Sequence, residues 1–240
     1  MRIVALSDTH NQHRKVQVPD GDIVIHAGDA CINGTPEEML DFVRWFSALP
    51  HKHRIFIGGN HDGIIANADW REDAIGSMLR WSARGGGTLY LEGETAGITA
   101  NGMDLRIHGA PWLPRPDDWT PGEPMRPGKR SSAFGVRESL IGQFWDTIPE
   151  GLDILVTHVP AYGMLDEIEE TPMSVALRIG CTALASKLAR MAHPPKAHIF
   201  GHVHDPGGCS AITPTGMHAY NVAICDANYA PTRQPQVIDL

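Results

Sequence analysis

The stretch Gly59-Asn60-His61-Asp62 sets an amide oxygen, an imidazole and a carboxylate directly behind the apolar run Ile55-Phe56-Ile57, so a buried strand delivers polar groups to its own end. The arrangement recurs along the chain. Asp8 and His10 follow the run Arg2–Leu6, Asp29 follows Ile23-Val24-Ile25 by way of His26-Ala27-Gly28, His158 follows Leu152–Val156, and His202 and His204 follow Ala197–Phe200. In an α/β sheet, ligand sites form outside the carboxyl ends of the strands, so these groups can converge although they are far apart in sequence. Three oxygen donors (Asp8, Asp29, Asn60) and four imidazoles (His10, His158, His202, His204) are too many for one tetrahedral ion and suit two ions that share a carboxylate. The set contains no thiolate, which fits manganese, iron or zinc better than calcium, copper(I) or an iron–sulfur cluster.

The elements that must hold these groups are readable from spacing. Thr35-Pro36-Glu37-Glu38 combines an N-cap, a proline at the first helical position and a glutamate placed to complete a capping box. A helix to about Leu49 follows, with Met39, Leu40, Phe42, Val43, Phe46 and Leu49 at helical spacing and Pro50 as its stop. A helix between two apolar strands predicts a parallel sheet with right-handed crossovers. Further on, the pattern predicts a helix over 73–84 closed by Gly85-Gly86-Gly87, short strands over 89–107, and helices over 135–145 and 174–191. Strands are expected over 152–156, 197–200, 218–224 and 236–239. The six prolines of segment 111–127 rule out regular helix and predict a long ordered loop. With Trp112 and Trp119 it is expected to wall the substrate rather than to form a surface excursion packed by its own aromatics, and a stack of Trp119 on a nucleobase is the form such a wall would take for a nucleotide. Gly28 and Gly59 are expected to supply tight backbone turns beside the donors. There is no repeat, low-complexity tract or linker, so one domain over 1–240 is expected.

Bulk properties narrow the partners. A balance of 20 Lys+Arg against 28 Asp+Glu, net charge -8, with no basic run, argues against duplex nucleic acid. No signal-type segment and no apolar stretch long enough for a bilayer is present, so no membrane partner and a cytoplasmic location are expected. The four cysteines are scattered and predict reduced, mostly buried thiols, with Cys31 a small buried hydrophobe. His26 and His108 fit no donor block and are expected to be structural. His13 is expected at the pocket mouth or simply exposed, and His51, His53, His193 and His218 as surface or packing residues.

The blocks Asp8-x-His10, Gly28-Asp29, Gly59-Asn60-His61-Asp62, His158 and Gly201-His202-x-His204 resemble, in order and number, the five blocks of the calcineurin-like metallophosphoesterases. His108-Gly109-Ala110-Pro111-Trp112, Ile148-Pro149-Glu150-Gly151, Arg178-Ile179-Gly180-Cys181 and Asn221-Val222-Ala223-Ile224-Cys225 are similar to one branch, the brain-239-type proteins. The resemblance implies a metallophosphoesterase sandwich of two mixed β-sheets facing each other and flanked by helices. It also implies two divalent metal ions. Asp8, His10 and His204 would hold the first, Asn60, His158 and His202 the second, and Asp29 would bridge them. Manganese is the expected ion, with iron, zinc, magnesium, nickel or cobalt as alternatives. His61 would protonate the leaving group, with Asp62 orienting it, while hydroxide held between the metals attacks phosphorus. A phosphodiesterase for small, cyclic-nucleotide-type substrates is expected. The alternatives are a phosphomonoesterase or phosphoprotein phosphatase with the same centre, or a non-catalytic metal-binding module.

Overall fold

The computed structural model describes residues 1–66, 87–118, 133–168 and 177–239. The helix expected over 73–84, Trp119 and most of the proline-rich segment lie outside them. The first sheet is built from β1 (Arg2–Leu6), β2 (Ile23–Ala27), β3 (His53–Ile57) and β4 (Thr88–Tyr90). The chain then lays down β5 (Glu94–Ala100), β6 (Met103–Ala110), and the short pair β7 (Leu113–Arg115) and β8 (Gly135–Arg137). Next come β9 (Ile154–Thr157), β10 (Glu167–Ile168), β11 (Leu177–Arg178), β12 (Ala197–Phe200), β13 (Ser210–Ile212), β14 (His218–Asn221) and β15 (Gln236–Asp239). One large sheet has the order β15-β1-β2-β3-β4 and the other β13-β14-β12-β9-β6-β5. In each, a parallel centre carries antiparallel strands at its margins, β15 in one and β5 and β13 in the other. Both sheets are therefore mixed, and they face each other as expected.

Strand alternation explains the layering. Ile3, Ala5, Ile23, Ile25, Ile55 and Ile57 project to one face and meet Ile107, Ile154, Val156, Ala197 and Ile199 of the second sheet in a continuous apolar layer. Val4, Leu6, Val24 and Phe56 project the other way, onto Met39, Phe42, Val43 and Phe46 of α1 (Pro36–Ser47). The capping box forms as its residues predict: the Glu38 N–H donates to Thr35 Oγ1 at 3.3 Å and the Glu38 carboxylate accepts from the Thr35 N–H at 3.4 Å. A single turn, α2 (Gly63–Ala66), follows the third strand. On the outer side of the second sheet, Ile141 and Trp145 of α3 (Glu138–Asp146) and Leu184 and Leu188 of α4 (Thr182–Arg190) share a core with Leu155.

Three expected elements differ; the helix expected over 135–145 begins at Glu138, because Gly135–Arg137 form β8. Of the helix predicted over 174–191, residues 174–176 lie outside the described residues, Leu177-Arg178 pairs with Glu167-Ile168 instead, and the helix begins at Thr182. Buried Asp166 supports that pairing by accepting from Arg178 Nη1 at 2.9 Å and from the Gly163 and Gly180 N–H groups at 3.0 and 3.1 Å. The start of the proline-rich segment is likewise not all loop, since Leu113-Pro114-Arg115 pairs in parallel with Gly135–Arg137. Pro114 is tolerated there because this two-stranded pair leaves it an edge.

The sandwich also buries uncharged histidines. Thr157 Oγ1 donates to the Val159 carbonyl, so the 2.7 Å contact with His198 must use an Nε2–H donor, leaving His198 Nδ1 without a partner. His26, bonded to Thr9 Oγ1 and packed on Phe42, and His108, bonded to Thr95 Oγ1, each leave one ring nitrogen in the same condition. Burial pushes His26 and His198 down to about 3 and His108 to about 4. A folded value below the unfolded one gives stability that is complete above about pH 6.5 and is lost as pH falls. We expect unfolding free energy, from denaturant titrations at pH 6.5 to 4.5, to decline through this window. The slope in His198→Gln should be smaller by about one proton equivalent; an unchanged slope would refute the assignment.

Candidate metal centre

Parallel pairing brings the carboxyl ends of β1, β2 and β3 side by side, and those of β9 and β12 likewise. The two sheets are stitched together at this end: the Ser7 N–H donates to the Val222 carbonyl at 2.9 Å and the Ile224 N–H to the Ser7 carbonyl at 3.1 Å. All seven expected donors therefore gather. The donor atoms of Asp8, His10 and His204 lie within 4.8 Å of one another, as do those of Asp29, His158 and His202. Asn60 Oδ1 is 3.1 Å from His158 Nε2, and His158 Nε2 is 3.4 Å from Asp29 Oδ2. In the other trio, His204 Nε2 is 3.4 Å from both Asp8 Oδ1 and His10 Nε2, and His10 Nε2 is 3.9 Å from Asp29 Oδ2. A cation with bonds of about 2.0–2.2 Å sets neighbouring donors roughly 3–3.5 Å apart, so the residues present fit two such ions with Asp29 between them.

The imidazoles are aimed by the backbone. Nδ1 of His10 bonds the Cys31 carbonyl at 3.0 Å, that of His158 the Ala27 carbonyl at 2.9 Å and that of His204 the Asp226 carbonyl at 2.9 Å. A carbonyl only accepts, so each Nδ1 carries a proton and each Nε2 is the atom left facing the centre, where a cation can take the place of its proton. Four donor residues, Asp8, His10, Asp29 and His202, have left-handed φ between 41 and 67°. Each such residue costs about 1–2 kcal/mol. The loops are held in that state by one another: the Asp8 N–H donates to the Gly28 carbonyl at 2.9 Å, His10 N–H to Asp29 carbonyl at 3.1 Å, and His202 N–H to the Asp8 carboxylate at 3.0 Å.

The sequence matches the calcineurin-like phosphoesterase family over residues 1–206. The chain belongs to that family. It is 32% identical to metallophosphoesterase domain-containing protein 1 of Homo sapiens and of Mus musculus, across 100% of this chain and 71% of each relative. The fold is also similar to that of a phosphopantetheinyl hydrolase from Mycobacterium tuberculosis, at TM-score 0.57 and 15% identity over 98% of this chain and 95% of that one. The protein is thus a metal-dependent phosphoester hydrolase.

In this calcineurin-like phosphoesterase the two carboxylates of the cluster are deeply buried, Asp8 at 0% and Asp29 at 2% exposure. Burial alone would raise Asp8, but the hydrogen bond from His204 and the charges of His158 and His204 outweigh it and hold Asp8 below the usual carboxylate range. Asp29 is lowered in the same way, mainly by His158 and His61 against burial. Burial opposes charge on His158, yet Asp29 and then Asp8 raise it to about 9. Protons on histidines thus stand where cations would neutralise the same carboxylates.

His61 lies on the rim with its ring 4.8 Å from that of His10, and its donor nitrogen also falls within 4.8 Å of those of His10 and Asp29. Its Nδ1 bonds the Ile32 carbonyl at 2.8 Å, so that carbonyl, rather than Asp62, orients it. Asp62 faces the loops instead, accepting from the N–H groups of Gly59 and Cys31 at 2.9 Å and of Ala30 at 3.3 Å. Burial and the Asp29 charge push it up to about 6. His13, expected at the mouth or exposed, is neither: it is 1% exposed, packed on Phe42 and Trp45 and bonded to Asp41 at 3.1 Å. His51 is buried on the Pro19 carbonyl. All four cysteines are free thiols, three of them buried, and burial with the Asp62 charge pushes the Cys31 thiol up. Two contributors were not singled out from sequence: Ser7, whose Oγ donates to Asp8 Oδ2 at 2.5 Å, and Tyr229, whose ring lies 4.6 Å from that of His10.

The glycines act for different reasons. Gly28 has φ +97°, and a Cβ there would lie 2.5 Å from His158 Nδ1. Gly59 is not left-handed; it is required because a Cβ would collide with the Asp29 carboxylate and backbone N–H. Gly59→Ala should therefore displace Asp29 and weaken metal affinity by roughly 10–100-fold, the scale of losing a ligand's support. Chelator competition with manganese and zinc measures this; wild-type affinity in the folded variant would argue against Asp29 as the shared ligand.

Proposed function

We propose that this chain, as one domain over 1–240, is a phosphodiesterase for small nucleotide-type diesters using two divalent metal ions, manganese foremost. Asp8, His10 and His204 hold one ion, Asn60, His158 and His202 the other, and Asp29 lies between. The observation that carries the phosphoesterase reading is the donor set itself, which contains two carboxylates among seven donors. Bound there, two divalent cations supply charge against the phosphoryl oxygens and lower the pKa of the attacking water. Their four positive charges less the charges of Asp8 and Asp29 leave a surplus of two. The protonated His61 that the acid step requires raises it to three, so the charge matches either ester with one hydroxide, and the diester preference rests on the resemblance to the brain-239-type branch.

The chain's own residues carry the remaining work. The anchored imidazoles and the cross-tied loops hold the donors in place before substrate arrives, so little reorganisation is needed when charge develops. Alkoxide loss needs a proton. In its protonated form His61 keeps Nδ1–H on the Ile32 carbonyl and turns Nε2–H toward the leaving oxygen. The net charge of -8 supports small substrates over polynucleotides.

His61→Ala should keep both metal equivalents but lose turnover by about 10²–10⁴-fold on diesters with poor leaving groups. Loss of one metal equivalent would make His61 a ligand instead, and unchanged turnover would end the acid role. Comparing bis(p-nitrophenyl) phosphate with p-nitrophenyl phosphate across manganese, iron, zinc, magnesium, nickel and cobalt tests the substrate reading. The diester should be preferred, and a consistent monoester preference would overturn it.

A further inference from the structure

A tyrosine overhangs the acid-catalysis side of the centre. The ring of Tyr229 lies 4.6 Å from that of His10, 5.4 Å from His204 and 6.0 Å from His61, edge-on to all three. It thus covers the donors of one trio and reaches the proposed proton donor as well. The side chain is nevertheless 38% exposed, so one surface packs on the histidines while the rest borders the open mouth.

The loop beneath this ring is built to hold it there. Cys225 and Pro231 pair in an antiparallel bridge, and the Asp226 N–H donates to the Ala230 carbonyl at 2.9 Å. Asp226 Oδ1 accepts from the Asn228 and Ala230 N–H groups at 2.9 and 3.0 Å, and the Asp226 carbonyl accepts from the Tyr229 N–H at 2.9 Å. That carbonyl is also the anchor of His204 Nδ1, so the loop and the donor share one point of support. Gln12 Nε2 donates to the Tyr229 carbonyl and ties the loop to the turn after β1. Tyr229 sits at φ 60°, in the left-handed region that a bulky side chain adopts only when its surroundings impose it. Burial, then the charges of Asp29 and Asp8, push its phenol up, so the ring carries a neutral O–H. A strained, half-exposed aromatic at the rim is costly for stability alone and useful for contact with a planar ligand.

We infer that Tyr229 is a specificity-determining residue, the wall on which a planar aromatic substituent of the phosphoester, aryl or nucleobase, packs beside His61. This rests on the phosphoesterase reading above and adds the chemical class on the leaving-group side. Because His61 lies next to the ring, a leaving group accepting its proton must exit past Tyr229. An alkyl group gains little there, while a planar group gains a stacking surface.

Non-hydrolysable probes test this without turnover. Calorimetry on the metal-loaded protein should show phenylphosphonate binding about tenfold tighter than methylphosphonate, the scale of one aromatic stack. Tyr229→Ala should bring that ratio to within about twofold of unity, and Tyr229→Asn, which suits the left-handed backbone, should do the same. Tyr229→Phe should keep the preference, since the ring is the contact. Methylphosphonate affinity and metal stoichiometry report whether the centre survives each change. A ratio of one in the wild type, a ratio unaffected by Tyr229→Ala and Tyr229→Asn, or an equal loss in Tyr229→Phe would overturn the inference while methylphosphonate still binds. Failure of either phosphonate to bind the metal-loaded wild type would overturn the phosphoester reading and this inference with it.

Discussion

Two carboxylates buried together govern this protein. Asp8 and Asp29 sit at the closed end of an apolar sandwich, and each raises the cost of charging the other. Moving one carboxylate into such a place costs several kcal/mol unless compensating charge is brought with it. The pair is tolerable only as part of a set that brings positive charge. In the bare protein, protons on His158 and His204 do this, and in a metal centre the cations take over. The strand order follows from the same need, since these carboxylates and their imidazole partners come from different strands and only parallel pairing sets all their ends in one place.

Rigidity is the second consequence. Four ring nitrogens, on His10, His61, His158 and His204, are held by main-chain carbonyls, and those carbonyls belong to loops that are themselves cross-bonded. Asp62 strengthens this by binding three N–H groups of two neighbouring loops, although nothing in its contacts links it to His61 directly. Left-handed backbone at four donor residues adds strain that the network must hold. The same strain keeps donors from relaxing away from a cation, so stability given up in the loops returns as a preset geometry.

How much of this could be read in the sequence depends on where the information lies. The strand ends were legible because an apolar run stopped by Asp, Asn or His is a local signal, and α1 was legible because Thr35 and Glu38 complete a cap within four residues. The carbonyl anchors were not, because Ala27, Cys31, Ile32 and Asp226 contribute main chain and their side chains encode nothing about it. His13 was misplaced because its burial comes from Phe42 and Trp45 on a helix folding back over it. The late start of α4 was hidden for a similar reason, since Asp166 captures Arg178 and Gly180 from a distance and overrides helical propensity. Gly59 was recognised as necessary for the wrong reason: what it provides is room beside Asp29, a property of the packed site and not of its own backbone.

Tyr229 shows why substrate identity is harder to read than chemistry. The donors address phosphorus and its oxygens, which every phosphoester shares, so they cannot by themselves tell one substituent from another. Discrimination must come from groups that touch the substituent, and the strand ends leave no room for them among the donors. It therefore falls to a loop such as 225–231, which hangs from the centre by the Asp226 carbonyl and lays its aromatic over the donors with one side left exposed. Because that one carbonyl supports both His204 and the Tyr229 turn, a change in the loop that alters its support reaches the metal side as well. Substitutions of the Tyr229 ring alone leave the Asp226 carbonyl in place, and that separation lets selectivity vary without dismantling the centre.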